Sequence, residues 1–243
     1  MAIKELTSLQ HPLVKHLVKL REDRAYRYAS KRVVISGVKL IKELSSRFPL
    51  RTLFIEKGHS PSFPLQAEST YLVSSQMLKK ATGLENPEPL AAEIDMPEEK
   101  SLSSCRYLLV LDGIADPGNL GTLLRSALAL GWDGALITPH STDPYNEKAL
   151  RSAKGATFIL PWKWASWEEL DVPIYAADAK GKPLSACSFS SPLALALGNE
   201  AHGVSKSLMS RATSVAIPMR EEMESLNVAS AGAILMYAIR GQA

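Results

Sequence analysis

The sequence predicts an α/β protein with a mostly parallel sheet in its C-terminal part and a smaller α/β domain before it. From residue 107 onward, apolar segments of strand length alternate with helical stretches, which is typical of a parallel sheet covered by helices on both faces. A shorter alternating region precedes them, and the Pro-, Glu- and Ser-rich residues 83–104 lie between the two. Such composition is typical of a linker. We therefore predict a domain at residues 1–95, a linker at 96–105 and a second domain at 106–243.

The N-terminal elements follow from short apolar runs and from helical periodicity. Apolar residues between positions 3 and 22 recur close to helical spacing. After them the patterns predict strands at 33–35, 53–55, 71–73 and 90–94, with helices at 38–47 and 75–81.

The C-terminal domain restarts with the strand YLLVLDG. Ligands of parallel sheets bind at the carboxyl ends of the strands, so the loops there are the candidate sites. Strands are predicted at 107–113, 134–138, 157–160, 174–177, 193–197 and 214–217, and helices at 118–131 and 226–240.

Positive charge is concentrated at one end of the chain. Residues 1–60 contain 13 Lys and Arg against 5 Asp and Glu, whereas the whole chain has a net charge of +3. This asymmetry, with tyrosines among the basic residues, indicates an RNA-binding surface. A solvated lysine-rich surface explains the charge equally well. The candidate RNA-binding residues are Lys15, Lys19, Arg24 and Arg27.

Several classes of protein are disfavoured. Cys105 and Cys187 are the only cysteines and no CxxC pair occurs, so neither a zinc site nor a disulfide scaffold is expected. No apolar run approaches the roughly 18 residues of a membrane helix, and the N-terminus does not resemble a signal peptide. We expect a cytoplasmic protein with no metal site and no membrane partner.

The first of three polar loops follows the strand at 107–111. Its glycines, proline and Asn119 are turn residues, and a helix begins there, presenting free N–H groups to an anion. Arg125 lies one to two turns into that helix, on the side of Gly121. A tight connection with a surface arginine also fits the loop. No GxGxxG fingerprint is present, which disfavours a dinucleotide-binding oxidoreductase or a kinase-type enzyme.

The second and third loops follow the strands at 193–197 and 214–217. In the second, Glu200 lies between Gly198 and Gly203, and glycines permit close approach of a ligand. A turn with a solvated glutamate is the alternative. The third loop ends at Ser225 and Asn227, either of which can cap the last helix. The small residues that follow let that helix approach another element closely.

Together, in this order and spacing, the three loops resemble the signature motifs of SpoU (TrmH) RNA methyltransferases of the SPOUT superfamily. Residues 1–95, with QHPLVK and KLIKEL, are similar to an L30e-like substrate-binding domain. The matching residues are Asn119, Gly121 and Arg125; Gly198, Asn199, Glu200 and Gly203; and Ile217, Pro218, Met219, Ser225, Leu226, Asn227, Val228, Ala229 and Ala231.

The resemblance implies S-adenosylmethionine-dependent methylation of a ribose 2′-hydroxyl in RNA. It also implies a C-terminal trefoil knot and a homodimer formed through the knot region. By position, the cofactor-binding residues are Gly198, Ile217, Met219 and Leu226, and the catalytic residues are Asn119, Arg125, Glu200, Ser225 and Asn227.

The reaction needs a group that helps to remove the hydroxyl proton, and Arg125 is the family's candidate. Because a guanidinium normally stays protonated, we favour stabilisation of developing negative charge or phosphate binding by Arg125, with a base role left open. Glu200 would orient Arg125 or Asn119.

A full N-terminal domain of this type favours ribosomal RNA as the substrate over transfer RNA, which remains the alternative. A non-catalytic RNA-binding or ribosome-assembly factor on the same fold would be expected to have broken motifs, whereas the catalytic residues are all present.

Overall fold

Two separate sheets organise the chain, for which a computed structural model describes residues 3–242. The chain divides into two compact units. The first comprises Met1–Pro97 and Tyr145–Glu147, and the second comprises Glu98–Pro144 and Lys148–Ala243.

The N-terminal unit contains a mixed sheet and four helices. The strands are β1 (Lys4–Glu5), β2 (Arg32–Ser36), β3 (Leu50–Glu56), β4 (Ala67–Val73) and β5 (Leu90–Asp95), and the helices are α1 (Pro12–Glu22), α2 (Arg24–Ser30), α3 (Val38–Ser45) and α4 (Ser75–Thr82). The sheet order is β1-β4-β3-β5-β2. Strands β1, β4 and β3 are parallel, and β5 runs antiparallel to β3 and β2.

Helix α1 begins later than the periodicity predicts. The chain first forms the short strand β1, and the helix starts at Pro12, because proline lacks the N–H group that a first turn leaves unpaired. His11 caps this helix, since its Nδ1 accepts from the Leu13 backbone N–H at 3.2 Å. Val14 and Leu17 lie on the buried face and pack in the core of this unit.

A polar cluster around Glu93 lies inside this unit. The Glu93 carboxylate is 2% exposed and accepts hydrogen bonds at 2.9 Å from His16 Nε2, Arg32 Nη1 and Thr52 Oγ1. His16 Nδ1 is hydrogen-bonded to Tyr26 Oη at 2.8 Å. Burial alone would raise the pKa of Glu93, but the bonds from His16, Arg32 and Thr52 outweigh it and lower the pKa. The glutamate is therefore ionised at neutral pH.

The structure corrects the prediction that Arg27 contacts RNA. Its side chain is 3% exposed, and Nη1 donates to the carbonyl oxygens of Leu20 and Arg21 at 2.5 and 2.8 Å. Arg27 thus satisfies carbonyl groups at the end of α1, where helices leave such groups without partners.

The other three predicted RNA-binding residues are exposed. Lys15 and Lys19 project from α1, and the Lys19 Nζ lies 4.3 Å from the centre of the Tyr26 ring. The Arg24 guanidinium lies 5.5 Å from the centre of the Tyr28 ring. The predicted mixture of cations and tyrosines therefore exists on α1 and α2.

The second sheet is parallel throughout, as predicted. Its strands are β6 (Tyr107–Asp112), β7 (Gly134–Ile137), β8 (Trp162–Trp164), β9 (Ile174–Pro183), β10 (Leu193–Gly198) and β11 (Thr213–Ala216), and the helices of this part of the chain are α5 (Pro117–Ala129), α6 (Glu147–Ala153), α7 (Ala156–Ile159), α8 (Lys206–Met209) and α9 (Val228–Arg240). The strand order is β11-β9-β10-β6-β7-β8.

One predicted strand, at 157–160, was wrong. This segment forms helix α7 after Gly155, whose φ is +94°, and the edge strand β8 follows it. Thr157 and Phe158 are both buried, and a short, fully buried apolar run has the same sequence pattern in a strand and in a helix.

Strands β6 and β10 lie next to each other at the centre of the sheet, and every residue in both is buried. Their register pairs Gly198 with Asp112, so the loops that follow them begin at the same edge. Helix α9 packs closely over this centre: a Cβ at Gly232 would lie 2.5 Å from Leu123 Cδ2 and 2.6 Å from Leu197 Cδ1. This explains the small residues in the last helix. Between residues 3 and 242, no helix is long and apolar enough to cross a membrane.

Candidate active site

The turn after β6 is held by two hydroxyl groups from the neighbouring strand end. The Gly113 N–H donates to Thr138 Oγ1 and Ser141 Oγ, both at 3.0 Å, and the Ile114 N–H donates to Ser141 Oγ at 3.1 Å. Gly113 has φ +73°, a conformation that favours glycine. Thr138 and Ser141 were not among the predicted site residues. Their position after β7, beside the carboxyl end of β6, is the signal that could have identified them.

Helix α5 begins at this turn. Pro117 is its first residue, and the Asp116 carboxylate accepts from the Asn119 backbone N–H at 2.9 Å. Lys148 Nζ donates to the same carboxylate at 2.5 Å. The hydrogen bonds from Lys148 and from the Asn119 N–H lower the pKa of Asp116. A charged cap therefore fixes the start of the helix that contains Asn119 and Arg125.

The loop after β10 is a tight backbone turn. Asn199 and Gly203 exchange backbone hydrogen bonds at 2.9 and 2.8 Å, and a Cβ at Gly198 would lie 2.1 Å from the carbonyl carbon of Gly203. Asn199 Oδ1 accepts from the backbone N–H groups of Ala201 and His202, while its Nδ2 donates to the Gly113 carbonyl at 2.9 Å. Asn199 thereby joins this loop to the turn after β6.

Glu200 connects the same two loops through its carboxylate. Its oxygens accept from the backbone N–H groups of Ala115 at 3.0 Å and Asp116 at 3.1 Å, and from Asn119 Nδ2 at 2.9 Å. Burial would raise the pKa of Glu200, but the bond from Asn119 and those from the backbone outweigh it and lower the pKa. Glu200 is an ionised acceptor that orients Asn119. This was one of the two roles foreseen for it, and no bond joins it to Arg125 in the described part of the chain.

The third loop is joined to Asn119 through the side chain of Asn227. Its Nδ2 donates to Asn119 Oδ1 at 3.0 Å. Its Oδ1 accepts from the backbone N–H groups of Ala229 at 2.9 Å and Ser230 at 3.3 Å, so Asn227, rather than Ser225, caps α9. A chain of hydrogen bonds from Asn227 through Asn119 to Glu200 therefore links the three loops.

The second and third loops, with residues 177–179 of β9, line a cavity of about 530 Å³, within the usual size range of small-molecule sites. Asn119 and Arg125 do not line it. Of the catalytic predictions, Glu200, Ser225 and Asn227 line it. The four residues predicted to bind the cofactor also line it, namely Gly198, Ile217, Met219 and Leu226. Further lining residues had not been predicted, chiefly Leu197, Leu235 and Asp178, which belong to β10, α9 and β9.

Arg125 lies apart from this network. It is exposed on α5 and makes no hydrogen bond or ion pair with any residue between 3 and 242. Ser225 is also exposed and, within the same range, has no hydrogen-bond partner. Both side chains are thus free to contact a molecule that approaches the site.

Metal ligands are not gathered at this site. Across the residues that the structure describes, no group of three or more His, Cys, Asp and Glu side chains could hold a metal ion. Of the carboxylates that line the cavity, that of Glu200 is occupied by Asn119 and by backbone N–H groups.

Sequence comparisons identify relatives over the whole chain. A sequence model of the SpoU rRNA Methylase family matches residues 106–237, and a model of the MRM3-like substrate binding domain matches residues 11–92. The 23S rRNA (guanosine(2553)-2′-O)-methyltransferase RlmP of Bacillus subtilis (strain 168) is 32% identical over 255 residues, which covers 98% of this chain and 100% of RlmP.

Solved structures of two methyltransferases are similar to this chain over nearly its whole length. The AdoMet-bound rRNA methyltransferase from Sinorhizobium meliloti superimposes with a TM-score of 0.82 at 25% identity, covering 98% of each chain. The SpoU methyltransferase AviRb from Streptomyces viridochromogenes, in complex with AdoMet, shares the fold with a TM-score of 0.84 at 23% identity, covering 96% of this chain and 98% of AviRb.

The fold and site therefore define an α/β protein with a cavity beside its parallel sheet, lined by the second and third loops, and with a chain of hydrogen bonds that joins these loops to the first. The family match covers more than half of the chain, and RlmP matches it over nearly its full length. The chain belongs to the SpoU rRNA methylase family.

Proposed function

We propose that this protein transfers a methyl group from S-adenosylmethionine to a ribose 2′-hydroxyl of ribosomal RNA. The observation that carries the proposal is the hydrogen-bonded chain Asn227–Asn119–Glu200 beside the cavity. Membership of the SpoU family and the name of RlmP support ribosomal RNA as the substrate.

The cavity fits the cofactor in its chemistry. Leu197, Ile217 and Leu235 supply apolar walls suited to an adenine ring, whereas Glu200, Ser225 and Asn227 add polar groups. At Gly198, a side chain would collide with the backbone of Gly203, so the wall there is bare backbone that a ligand can approach closely. Gly198, Ile217, Met219 and Leu226 would hold the cofactor.

Bound S-adenosylmethionine supplies an electrophilic methyl carbon on a sulfonium centre. The protein must place the ribose hydroxyl in line with that carbon and stabilise the negative charge that develops on the oxygen. We assign this stabilisation to Arg125, whose exposed side chain has no partner among residues 3–242. A guanidinium normally stays cationic, which favours an electrostatic role over a role as base.

Asn119 and Glu200 are assigned a positioning role rather than a role in proton transfer. Both ends of the Asn119 amide are engaged, Nδ2 by Glu200 and Oδ1 by Asn227. The orientation of this amide beside the cavity is therefore fixed in advance, which avoids the cost of ordering it during the reaction. Ser225, on the loop before α9, completes the polar lining.

RNA recognition is assigned to the N-terminal part. We propose that residues 1–95 form the RNA substrate-binding domain, 96–105 the linker and 106–243 the methyltransferase domain. The match of residues 11–92 to the MRM3-like substrate binding domain supports this division. Lys15, Lys19 and Arg24 remain the proposed RNA contacts, and Arg27 is removed from that set because it is buried.

We further propose that the protein works in the cytoplasm as a homodimer whose C-terminal chain forms a trefoil knot. Helix α9 presents an apolar face that is available to a second copy, since Ile234 is 43% exposed and Tyr237 is 72% exposed. Exposed large apolar groups that lie close together are typical of interfaces. Sedimentation of the wild type beside Tyr237→Glu tests the dimer: a monomeric wild type, or a dimer unaffected by the substitution, would contradict this interface.

The activity is tested by incubating the protein with radiolabelled S-adenosylmethionine and deproteinised ribosomal or transfer RNA, with and without a chelator. We expect label in ribosomal RNA in both conditions, and 2′-O-methyl mapping would then identify the nucleotide. Label confined to transfer RNA would favour the alternative substrate. Cofactor binding without transfer to either RNA would favour a non-catalytic factor.

The N-terminal assignment is tested by charge reversal. The test variant replaces Lys15, Lys19 and Arg24 with Glu. The matched control makes the same change in charge at Lys39 and Lys42 on α3 and at Arg47, which follows α3. We expect the test variant to bind RNA with a salt slope smaller by about 0.7–0.9 for each lost phosphate contact. An equal decrease of the salt slope in both variants would mean that α1 and α2 form an ordinary charged surface with no specific role in RNA binding.

A further inference from the structure

The loop at residues 199–203 borders two cavities. One is the proposed cofactor cavity, and the other has a volume of about 740 Å³. Asn199, Ala201 and Gly203 line both. Because Gly198 packs directly against the backbone of Gly203, the wall between the cavities is a single turn of backbone. A molecule that occupies the second cavity is therefore next to the site of the reaction.

The open side of the second cavity carries one lysine and two histidines. His140, His202 and Lys206 line it and are exposed, and within residues 3–242 none of their side chains has a hydrogen bond or an ion pair. One carboxylate, that of Asp112, also lines the cavity. It is 8% exposed, and its Oδ2 accepts from the Ser205 backbone N–H at 2.8 Å. The groups exposed to a ligand are therefore an ammonium group and two imidazoles, which can donate hydrogen bonds to an anion.

The backbone that carries the two histidines is held by hydrogen bonds. His140 lies between Thr138 and Ser141, whose hydroxyl groups both accept from the Gly113 N–H. The backbone N–H of His202 donates to Asn199 Oδ1, inside the turn closed by Asn199 and Gly203. The backbone positions of both imidazoles are therefore fixed before a ligand binds, which lowers the cost of ordering the site.

We infer that this cavity binds a backbone phosphate of the RNA substrate, next to the nucleotide that is methylated. The inference rests on the proposed function, because it takes the neighbouring cavity as the site of methyl transfer. Each ribose within an RNA strand is flanked by two phosphates, so a strand with its ribose at the cofactor cavity places a phosphate close by. Lys206, with His140 and His202 when protonated, would donate charge-assisted hydrogen bonds to its oxygens.

The test measures binding of a labelled single-stranded RNA oligonucleotide across a salt series. The variants are Lys206→Gln and the triple variant with His140→Gln and His202→Gln. Lys182→Gln is the matched control, since Lys182 is an exposed lysine of the same unit outside both cavities. We expect Lys206→Gln to reduce the salt slope by about 0.7, the triple variant to reduce it further, and the control to leave it unchanged. Affinity for S-adenosylmethionine should stay the same in all of them.

Two results would overturn the inference. One is a salt slope in the triple variant equal to that of the control. The other is loss of inorganic phosphate binding with unchanged RNA binding, which would make the cavity a site for small anions. Methyl transfer by the wild type is measured separately. If transfer fails while RNA binding depends on Lys206, the cavity stands as an RNA site and the proposed function falls.

Discussion

Each unit contains a polar cluster built around one glutamate, and the two clusters differ in almost every other respect. Glu93 is buried and accepts from three side chains, those of His16, Arg32 and Thr52. Glu200 is exposed and accepts from two backbone N–H groups and from Asn119. In both, hydrogen bonds lower the pKa against the effect of burial.

The hydrogen-bond donors of the two clusters come from different kinds of element, which indicates a structural role for one cluster and a functional role for the other. The donors to Glu93 come from α1, β2 and β3, while Glu93 itself belongs to β5, so the cluster ties four elements of one fold together. The donors to Glu200 all come from the start of α5 and the turn before it, and they hold two loops beside a cavity. We therefore expect changes at Glu93 to affect stability and changes around Glu200 to affect catalysis.

The largest expected effect lies in the same unit as the second cluster, at Arg125. Replacing Arg125 with Ala removes the group assigned to the developing charge, and loss of one such donor costs about 10²–10³-fold in rate. The affinity for S-adenosylmethionine should remain within about twofold, because Arg125 does not line the cofactor cavity. Single-turnover methyl transfer and calorimetry measure the two quantities. Arg125→Lys keeps the charge and should retain part of the rate; a near-normal rate for Arg125→Ala would remove this residue from the mechanism.

A loss of stability is expected at the first cluster. Glu93→Gln removes the buried carboxylate that accepts from His16, Arg32 and Thr52, and because hydrogen bonds to a charged group contribute about 1.5–3 kcal/mol, we expect a loss of that order. Urea unfolding measures this change in the free energy of unfolding. Methyl transfer per folded molecule should be unchanged where the variant is folded. A loss of rate without a loss of stability would reverse the roles given to the two glutamates.

Glu200→Gln should have a smaller effect, on rate rather than on stability. The amide NH₂ of glutamine would face the donors that the carboxylate now accepts from, so Asn119 would lose its fixed orientation. Hydrogen bonds to a charged group contribute about 1.5–3 kcal/mol, which corresponds to a rate lower by about 10–100-fold. Glu221→Gln, at an exposed glutamate of the third loop, is the control. Equal rates for the two variants would show that Glu200 does not position Asn119.

The smallest expected effect is the pH dependence of stability at Glu93. Because its pKa is lowered on folding, its contribution is fully present above the ordinary glutamate value of about 4.3 and is lost as the pH falls through the lowered value. The difference in free energy of unfolding between wild type and Glu93→Gln should therefore shrink on acidification. Urea unfolding over an acid pH series measures it. If this difference in free energy of unfolding does not change with pH, ionisation of Glu93 does not stabilise the fold.

The sequence predicted the candidate site best in the polar loops that follow the strands. Strands β6, β10 and β11 were recognisable as apolar runs, and the polar residues after them had to meet because parallel strands end at one edge. Asn119, Glu200 and Asn227 were assigned within these loops by their resemblance to the SpoU motifs, and the structure brings them into one hydrogen-bonded chain. The small residues of α9 likewise predicted close packing, which Gly232 shows.

Other features depend on contacts that a linear pattern does not contain. His16 and Glu93 are 77 positions apart, and neither residue lies in a recognisable motif. Arg27 lies in the same basic region of the sequence as Lys15 and Lys19, yet its guanidinium donates hydrogen bonds to carbonyl groups at the end of α1. Thr157 and Phe158 belong to an apolar run that is buried in either conformation, so periodicity could not distinguish a helix from a strand there.

The bond between Asn227 and Asn119 joins residues that leave the ribosome at different times. During translation, α5 and the loop containing Glu200 emerge first, and Asn119 then has its Glu200 partner but lacks Asn227. The cavity also lacks Ile217, Met219 and Leu226 at that stage. A nascent chain released before α9 docks would therefore lack both the completed cavity and the fixed amide. Activity should begin only after helix α9 has been synthesised and packed, however early the sheet forms.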